Sequence, residues 1–237
     1  MRILRPYSFL IFSNMPSEKS FEVIHKGNLS DSVYDALRQA LIDGQYEPGD
    51  RLRPTQIAKA MGVSITPVRE AIFRLVSDQA LQIKAATSIY VPILTHEQLQ
   101  EIQRIRFLLE GEAAAMAAIK ITPEELQALE NIQDQFQKIV PVDSKKAAEL
   151  NKLFHFGVIN AAHSPLISKT LENMWIMMGP ILRSFHVNTP RKELESDQHY
   201  HFYVLDALRN HDADAARKAI QDDIEWGKTM LNWTAEV

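Results

Sequence analysis

The sequence predicts a mainly α fold in two parts: an N-terminal head of three short helices with a β-hairpin, and a C-terminal all-helical bundle of about six helices. Three observations predict it. Helix-start signals recur along the chain, each a Ser, Thr or Asp, several of them just before a proline or three residues before a Glu or Gln. Short runs of strand-type residues occur at 80–84 and 89–93, and none is read beyond residue 95. The charge divides as well: residues 1–95 carry 11 Lys and Arg against 9 Asp and Glu, while residues 96–237 carry 15 against 21.

With 237 residues and 46% hydrophobic content, the chain has enough apolar material for two cores. It has no cysteine, which excludes disulfides, thiolate metal ligands and cysteine nucleophiles. The head's small positive balance does not by itself argue for a nucleic-acid partner, and the acidic second part argues against a second such surface.

Residues 1–28 combine Arg2 and Arg5 with an apolar patch, Tyr7 to Phe12, far too short to span a membrane and not followed by a small-residue cleavage site. They read as a flexible arm, or as an upstream extension if Met15 is the start. Residues 29–94 form the head. Val33, Leu37 and Leu41 give its first helix an apolar face, and Pro48-Gly49 makes the following turn. A short helix pattern from Thr55 to Met61 breaks at Gly62. A second helix then opens with Ser64 and Thr66 as capping residues and Pro67 in the first turn, and Val68, Ala71, Ile72 and Leu75 continue it. Arg69 lies one turn in. This is the pattern of a helix-turn-helix, whose second helix presents its N-terminal end to a DNA groove; the plainer reading is two packed helices joined by a glycine turn. The two strand runs beyond it suggest a hairpin wing.

Residues 95–237 form the bundle. Thr95 and Gln98 make a capping box for a helix to about Ile119, with the stripe Leu99, Ile102, Arg106, Leu109, Ala113, Met116. A guanidinium on that stripe requires a partner, either a ligand carboxylate or an acid of the chain itself, unless it reaches the surface. Thr122-Pro123-Glu124-Glu125 opens the next helix, and the turn at Pro141 to Asp143 opens one to about Ala162. Ser164-Pro165 opens another, in which Gly179-Pro180 predicts a kink. Thr189-Pro190 starts a helix to about Asn210, and Asp212 starts the last.

Helical periodicity places some histidines and acids inside. His201 shares a face with Leu194, Val204, Leu205 and Leu208 and points inward, whereas His199 falls beside Glu195 and Asp206 and should be solvated. His155 lies in the nearly all-apolar segment Leu150 to Ile159, with Asn151 one turn before it on the same face. Asp223 interrupts the stripe Ala216, Ala219, Ile220, Trp226, Met230, and a carboxylate buried there needs a partner or a cation; Asp222 lies at its edge.

These residues carry a resemblance. Pro48-Gly49-x-x-Leu52, Gly62-Val63-Ser64, Thr66-Pro67-Val68-Arg69-Glu70-Ala71 and Arg74-Leu75 resemble the winged helix-turn-helix of the GntR superfamily of bacterial transcriptional regulators. Ile105-Arg106-x-x-Leu109-Glu110, Asn151-x-x-Phe154-His155, and His201 followed by Asp206-Ala207-Leu208-Arg209 resemble the helical FCD effector domain of the FadR and VanR subgroups. Ile65-Thr66-Pro67 and Met178-Gly179-Pro180 are also similar to the McbR-type subgroup.

The resemblance implies a cytoplasmic homodimer that binds a pseudopalindromic DNA operator. It assigns DNA contacts to Ser64, Thr66 and Arg69, with Arg53, Lys59, Arg74 and Lys84 as candidate backbone contacts. It also implies a small-molecule effector, a carboxylate with Arg106 as its anchor, beside a divalent metal held by Asn151, His155, His201 and Asp223. Two departures at the metal set stand out: Asn151 where an Asp is usual, and Asp223 where a His is usual. Two nitrogens with one or two oxygens suit zinc, nickel or manganese in an open site; a metal-free hydrogen-bonded cluster is the alternative. In the head, Ile65 stands where Arg is common, which removes a guanine contact, and the wing tip lacks glycine. A metal-dependent helical hydrolase fused to a DNA-binding head is the competing class, although no His-Glu-x-x-His or Gly-x-Ser-x-Gly motif is present. An effector-independent DNA-binding protein is the third.

Overall fold

The structure, a computed structural model, describes residues 29–84, 88–188 and 199–226. The arm at 1–28, the wing tip at 85–87 and the start signal at Thr189-Pro190 lie outside the described residues.

The head begins with α1 (Leu29–Ile42), which buries Val33, Tyr34, Leu37, Leu41 and Ile42 along one stripe. The chain turns through Gly49, at φ +91°, and pairs β1 (Arg51–Leu52) with a later strand at Ser88–Tyr90. Helix α2 (Pro54–Met61) carries proline in its first turn and stops at Gly62, a left-handed C-cap. Helix α3 (Ile65–Ser77) follows, burying Val68, Ala71, Ile72 and Leu75. Strands β2 (Gln82–Lys84) and β3 (Ser88–Tyr90) form the wing, and the antiparallel sheet has the order β1-β3-β2. The third strand, β1, carries only two residues and has no sequence signal of its own. Its pairing of Arg51 with Tyr90 is closed by hydrogen bonds between Gly49 and Val91 and between Val91 and Asp50.

The bundle opens at α4 (His96–Lys120), where the Thr95 side chain accepts from the Gln98 N–H and the Gln98 side chain accepts from the Thr95 N–H. Helix α5 (Pro123–Ile139) has the same reciprocal cap from Thr122 and Glu125. Asp143 caps α6 (Ser144–Ala161), and α7 (Pro165–Asn188) follows. Last come α8 (Tyr200–Arg209) and α9 (Ala213–Trp226). Alanines 114, 117 and 118 of α4 and 216 and 219 of α9 share one core, and these small side chains bring the two helices together. No helix among the described residues is long and apolar enough to cross a membrane.

Gly179-Pro180, where the sequence predicts a kink, also has a packing role. Helix α7 continues past Pro180 to Asn188, and Gly179 is where the helix meets the head. A Cβ there would lie 2.2 Å from the Leu41 carbonyl oxygen and 2.7 Å from the Ile42 Cα. Ile176, one turn earlier, belongs to the head's own core. Two ion pairs, Arg38 with Glu172 and Lys152 with Asp43, join α1 and its C-terminal end to α7 and α6.

Candidate functional site

The head presents one solvent-facing side of α3. Ser64 precedes the helix in extended conformation without spending its hydroxyl on a cap bond, and Ser64, Thr66, Arg69 and Glu70 are exposed. Ile65, Arg69 and Phe73, spaced at i, i+4 and i+8, share a face. That face borders a groove of about 480 Å³ whose other walls include Pro54, Thr55 and Ile83. Arg53 precedes α2 and Lys59 sits in its last turn, both exposed. Lys84 lies on the wing, its Nζ 5.6 Å from the Tyr90 ring centroid. Arg74 sits elsewhere on α3. Nine residues beyond Ile65, it lies on the opposite side of a helix with 3.6 residues per turn. There it pairs with Asp31 and stacks 4.0 Å above the Tyr34 ring. Tyr34 in turn donates to Asp78 at 2.6 Å; burial and this bond push its hydroxyl up to about 12.

The helical domain contains a buried polar centre. His155 of α6, His201 of α8 and Asp223 of α9 each offer a ligand atom, all within 4.8 Å of one another. His155 Nε2 is 3.1 Å from Asp223 Oδ2, and its Nδ1 is 2.9 Å from Glu110 Oε2. His201 Nδ1 is 2.7 Å from Gln133 Oε1, and its ring stacks on Phe154. With both Nδ1 atoms held from behind, the nitrogen that each imidazole would offer a metal is Nε2. Asn151 lies one turn before His155, half-buried.

Charge runs through the centre as a chain of pairs. Arg106 donates from Nε to Glu110 Oε1 at 2.6 Å, and Trp175 donates to the same oxygen at 3.1 Å. The guanidinium carbon sits 4.4 Å over the Trp175 ring. The sequence leaves the partner of Arg106 open; within the chain its Nε is held by Glu110. Burial would raise the Glu110 carboxyl, but the Arg106 charge and the bond to His155 outweigh it and hold the group near 2. Burial likewise opposes the charged form of His155, yet hydrogen bonds to Asp223 and Glu110 raise it to about 9. Asp223 is lowered against its burial by the His155 bond.

His199 is a correction. It is not solvated: it precedes α8, its Nδ1 accepts from the His201 N–H, and its ring lies 4.3 Å from that of His201. Burial and the neighbouring His155 lower its pKa, with Asp223 opposing. Treating it as an interior helical residue beside Asp206 put its side chain on the wrong side.

Glu110 and Gln133 had readable signals. The buried stripe of α4 runs Leu99, Ile102, Arg106, Glu110, Ala113, Ala117, passing through Glu110 rather than Leu109, and Arg-x-x-x-Glu is an i,i+4 pair. Gln133 likewise interrupts the buried series Leu129, Phe136, Val140.

A helix-turn-helix with a paired wing, carried on an all-helical domain that encloses a histidine–aspartate centre, defines a DNA-binding regulator. Residues 29–91 match the family described as bacterial regulatory proteins, gntR family, and residues 101–225 match the FCD domain, so the chain belongs to the GntR family of transcriptional regulators. It is 33% identical over 206 residues to the HTH-type transcriptional regulator McbR of Escherichia coli K12, across 86% of this chain and 93% of that protein. It is 27% identical over 202 residues to the HTH-type transcriptional repressor RspR of the same organism, across 83% and 86%. The solved structure of E. coli McbR/YncC superposes with a TM-score of 0.81 at 30% identity, over 89% of this chain and 100% of that one. These relatives are named regulators rather than enzymes.

Proposed function

We propose that the protein acts in the cytoplasm as a homodimer on a pseudopalindromic duplex-DNA operator, and that a small organic acid bound beside a divalent metal in the helical domain modulates that binding. In the head, Arg69 is assigned a phosphate or base-edge contact, Ser64 and Thr66 the anchoring of the first turn, and Arg53, Lys59, Arg74 and Lys84 backbone contacts. Arg69→Ala is expected to weaken operator binding by at least about 1 kcal/mol, measured by gel shift on inverted-repeat DNA. Unchanged affinity of the folded variant would count against this placement.

One observation carries the metal reading: both imidazoles are oriented through Nδ1 by buried acceptors, with Asp223 beside them. The donor set fits zinc, nickel or manganese, with Asn151 as a fourth oxygen. A bound metal would supply a Lewis-acidic position for an effector carboxylate. Two buried amides favour a polar ligand: Gln133 Nε2 beside His201, and both amide atoms of Gln103, one turn before Arg106, lack hydrogen-bond partners among the described residues. Arg106, its Nε held by Glu110, is assigned as the anchor for the effector's carboxylate.

Elemental analysis after incubation with zinc, nickel or manganese is expected to find about one equivalent per chain, lost in a His155→Ala, His201→Ala double variant. The chain of pairs Arg106, Glu110, His155, Asp223 favours a second reading, a metal-free hydrogen-bonded cluster. Less than about a tenth of an equivalent would sink the metal reading and leave a polar effector pocket.

A further inference from the structure

We propose that Ile65 is a specificity-determining residue that reads the C5-methyl group of a thymine in the operator's major groove; the inference rests on the DNA-binding reading of the head. Ile65 is the first residue of α3, the helix whose N-terminal end faces base edges in a helix-turn-helix. Around it the first turn is polar: Ser64, Thr66, Arg69 and Glu70 are exposed, whereas Val68 and Ala71 point into the head's core. Ile65 does neither. It is half-buried outside that core, on the side bordering the groove between α3 and the wing.

The apolar character continues along the same side. Phe73 is 59% exposed, and Ile83 on the wing is 43% exposed. The face therefore alternates aliphatic, cationic and aromatic groups: Ile65, Arg69, Phe73.

An isoleucine side chain neither donates nor accepts a hydrogen bond, so it cannot satisfy any purine edge or the exocyclic amine of cytosine. Set against such groups, it leaves them desolvated and unpaired. Among the groups that base pairs display in the major groove, the one apolar group is the thymine methyl. Arg69, one turn further along the same face, is placed to take the acceptor edge of a neighbouring purine. The same chemistry disfavours guanine at the Ile65 position, because there is no guanidinium there to pair with O6 and N7.

The size of the effect follows from one methyl group. Removing its burial is expected to weaken binding about fourfold per half-site, and about 15-fold when both half-sites of a dimer-bound operator are changed.

The test uses the full-length chain. A duplex library with a randomised core is selected on the protein, and the enriched sequence is resynthesised with each thymine replaced in turn, symmetrically, by deoxyuridine, which lacks only the methyl. One position is expected to show the loss of about 15-fold in the native protein. Ile65→Ala should abolish that penalty while leaving penalties at other positions intact, and Ile65→Val, which keeps a branched aliphatic group, should retain most of it. An enriched operator with no deoxyuridine-sensitive position, or a penalty that persists in Ile65→Ala, overturns this inference while leaving the DNA-binding reading in place. Failure to enrich any sequence removes both.

Discussion

Glu110→Ala is expected to destabilise the protein by about 3–5 kcal/mol, the cost of stripping a buried ion pair of one partner. Glu110 is 1% exposed and Arg106 3% exposed, so water cannot replace the lost carboxylate at either group. The substitution removes acceptors from three donors at once: Arg106 Nε, His155 Nδ1 and Trp175 Nε1. It also leaves a guanidinium buried without its carboxylate. Glu110→Gln keeps the shape and one acceptor, so its loss should be smaller. Urea unfolding of both variants measures the difference, and a loss below about 1 kcal/mol for Glu110→Ala would show that the chain of pairs contributes little net stability.

Gly179→Val should be comparably severe, about 3 kcal/mol or more, because the obstacle is backbone rather than a side chain that can swing aside. The added Cβ would meet the Leu41 carbonyl oxygen at 2.2 Å, and only a relative shift of α7 and α1 relieves that contact. Even Gly179→Ala carries the same Cβ and should be strongly destabilising. The consequence reaches beyond stability. Helix α7 touches the polar centre through Trp175 and seats the head through Ile176 and Gly179, so one rigid element joins the two. The variant is expected to loosen the head, seen as faster proteolysis of the Val91 to Thr95 connection together with a lowered Tm. An unchanged Tm and unchanged cleavage would mean that α7 and α1 adjust freely.

Much of this molecule is written in short-range chemistry. The reciprocal caps at Thr95 and Gln98 and at Thr122 and Glu125, the left-handed stop at Gly62 and the proline starts of α2, α5 and α7 depend on residues at most a few positions apart. A sequence states such relations directly. Periodicity also sufficed to turn His155, His201 and Asp223 inward, since the face of a helix is set by its own 3.6-residue repeat. That three inward groups on α6, α8 and α9 meet within 4.8 Å is a different kind of fact, set by how those helices pack. Packing likewise brought Gln133 from α5 to the back of His201. It turned His199 inward at the start of α8 and carried Arg74 to Asp31 and Tyr34. It also made Gly179 a contact point with the head. In each case the deciding neighbour belongs to another element, or the outcome hangs on where an element begins. Those matters are settled by side-chain volumes meeting across the core, which no local pattern along the chain encodes.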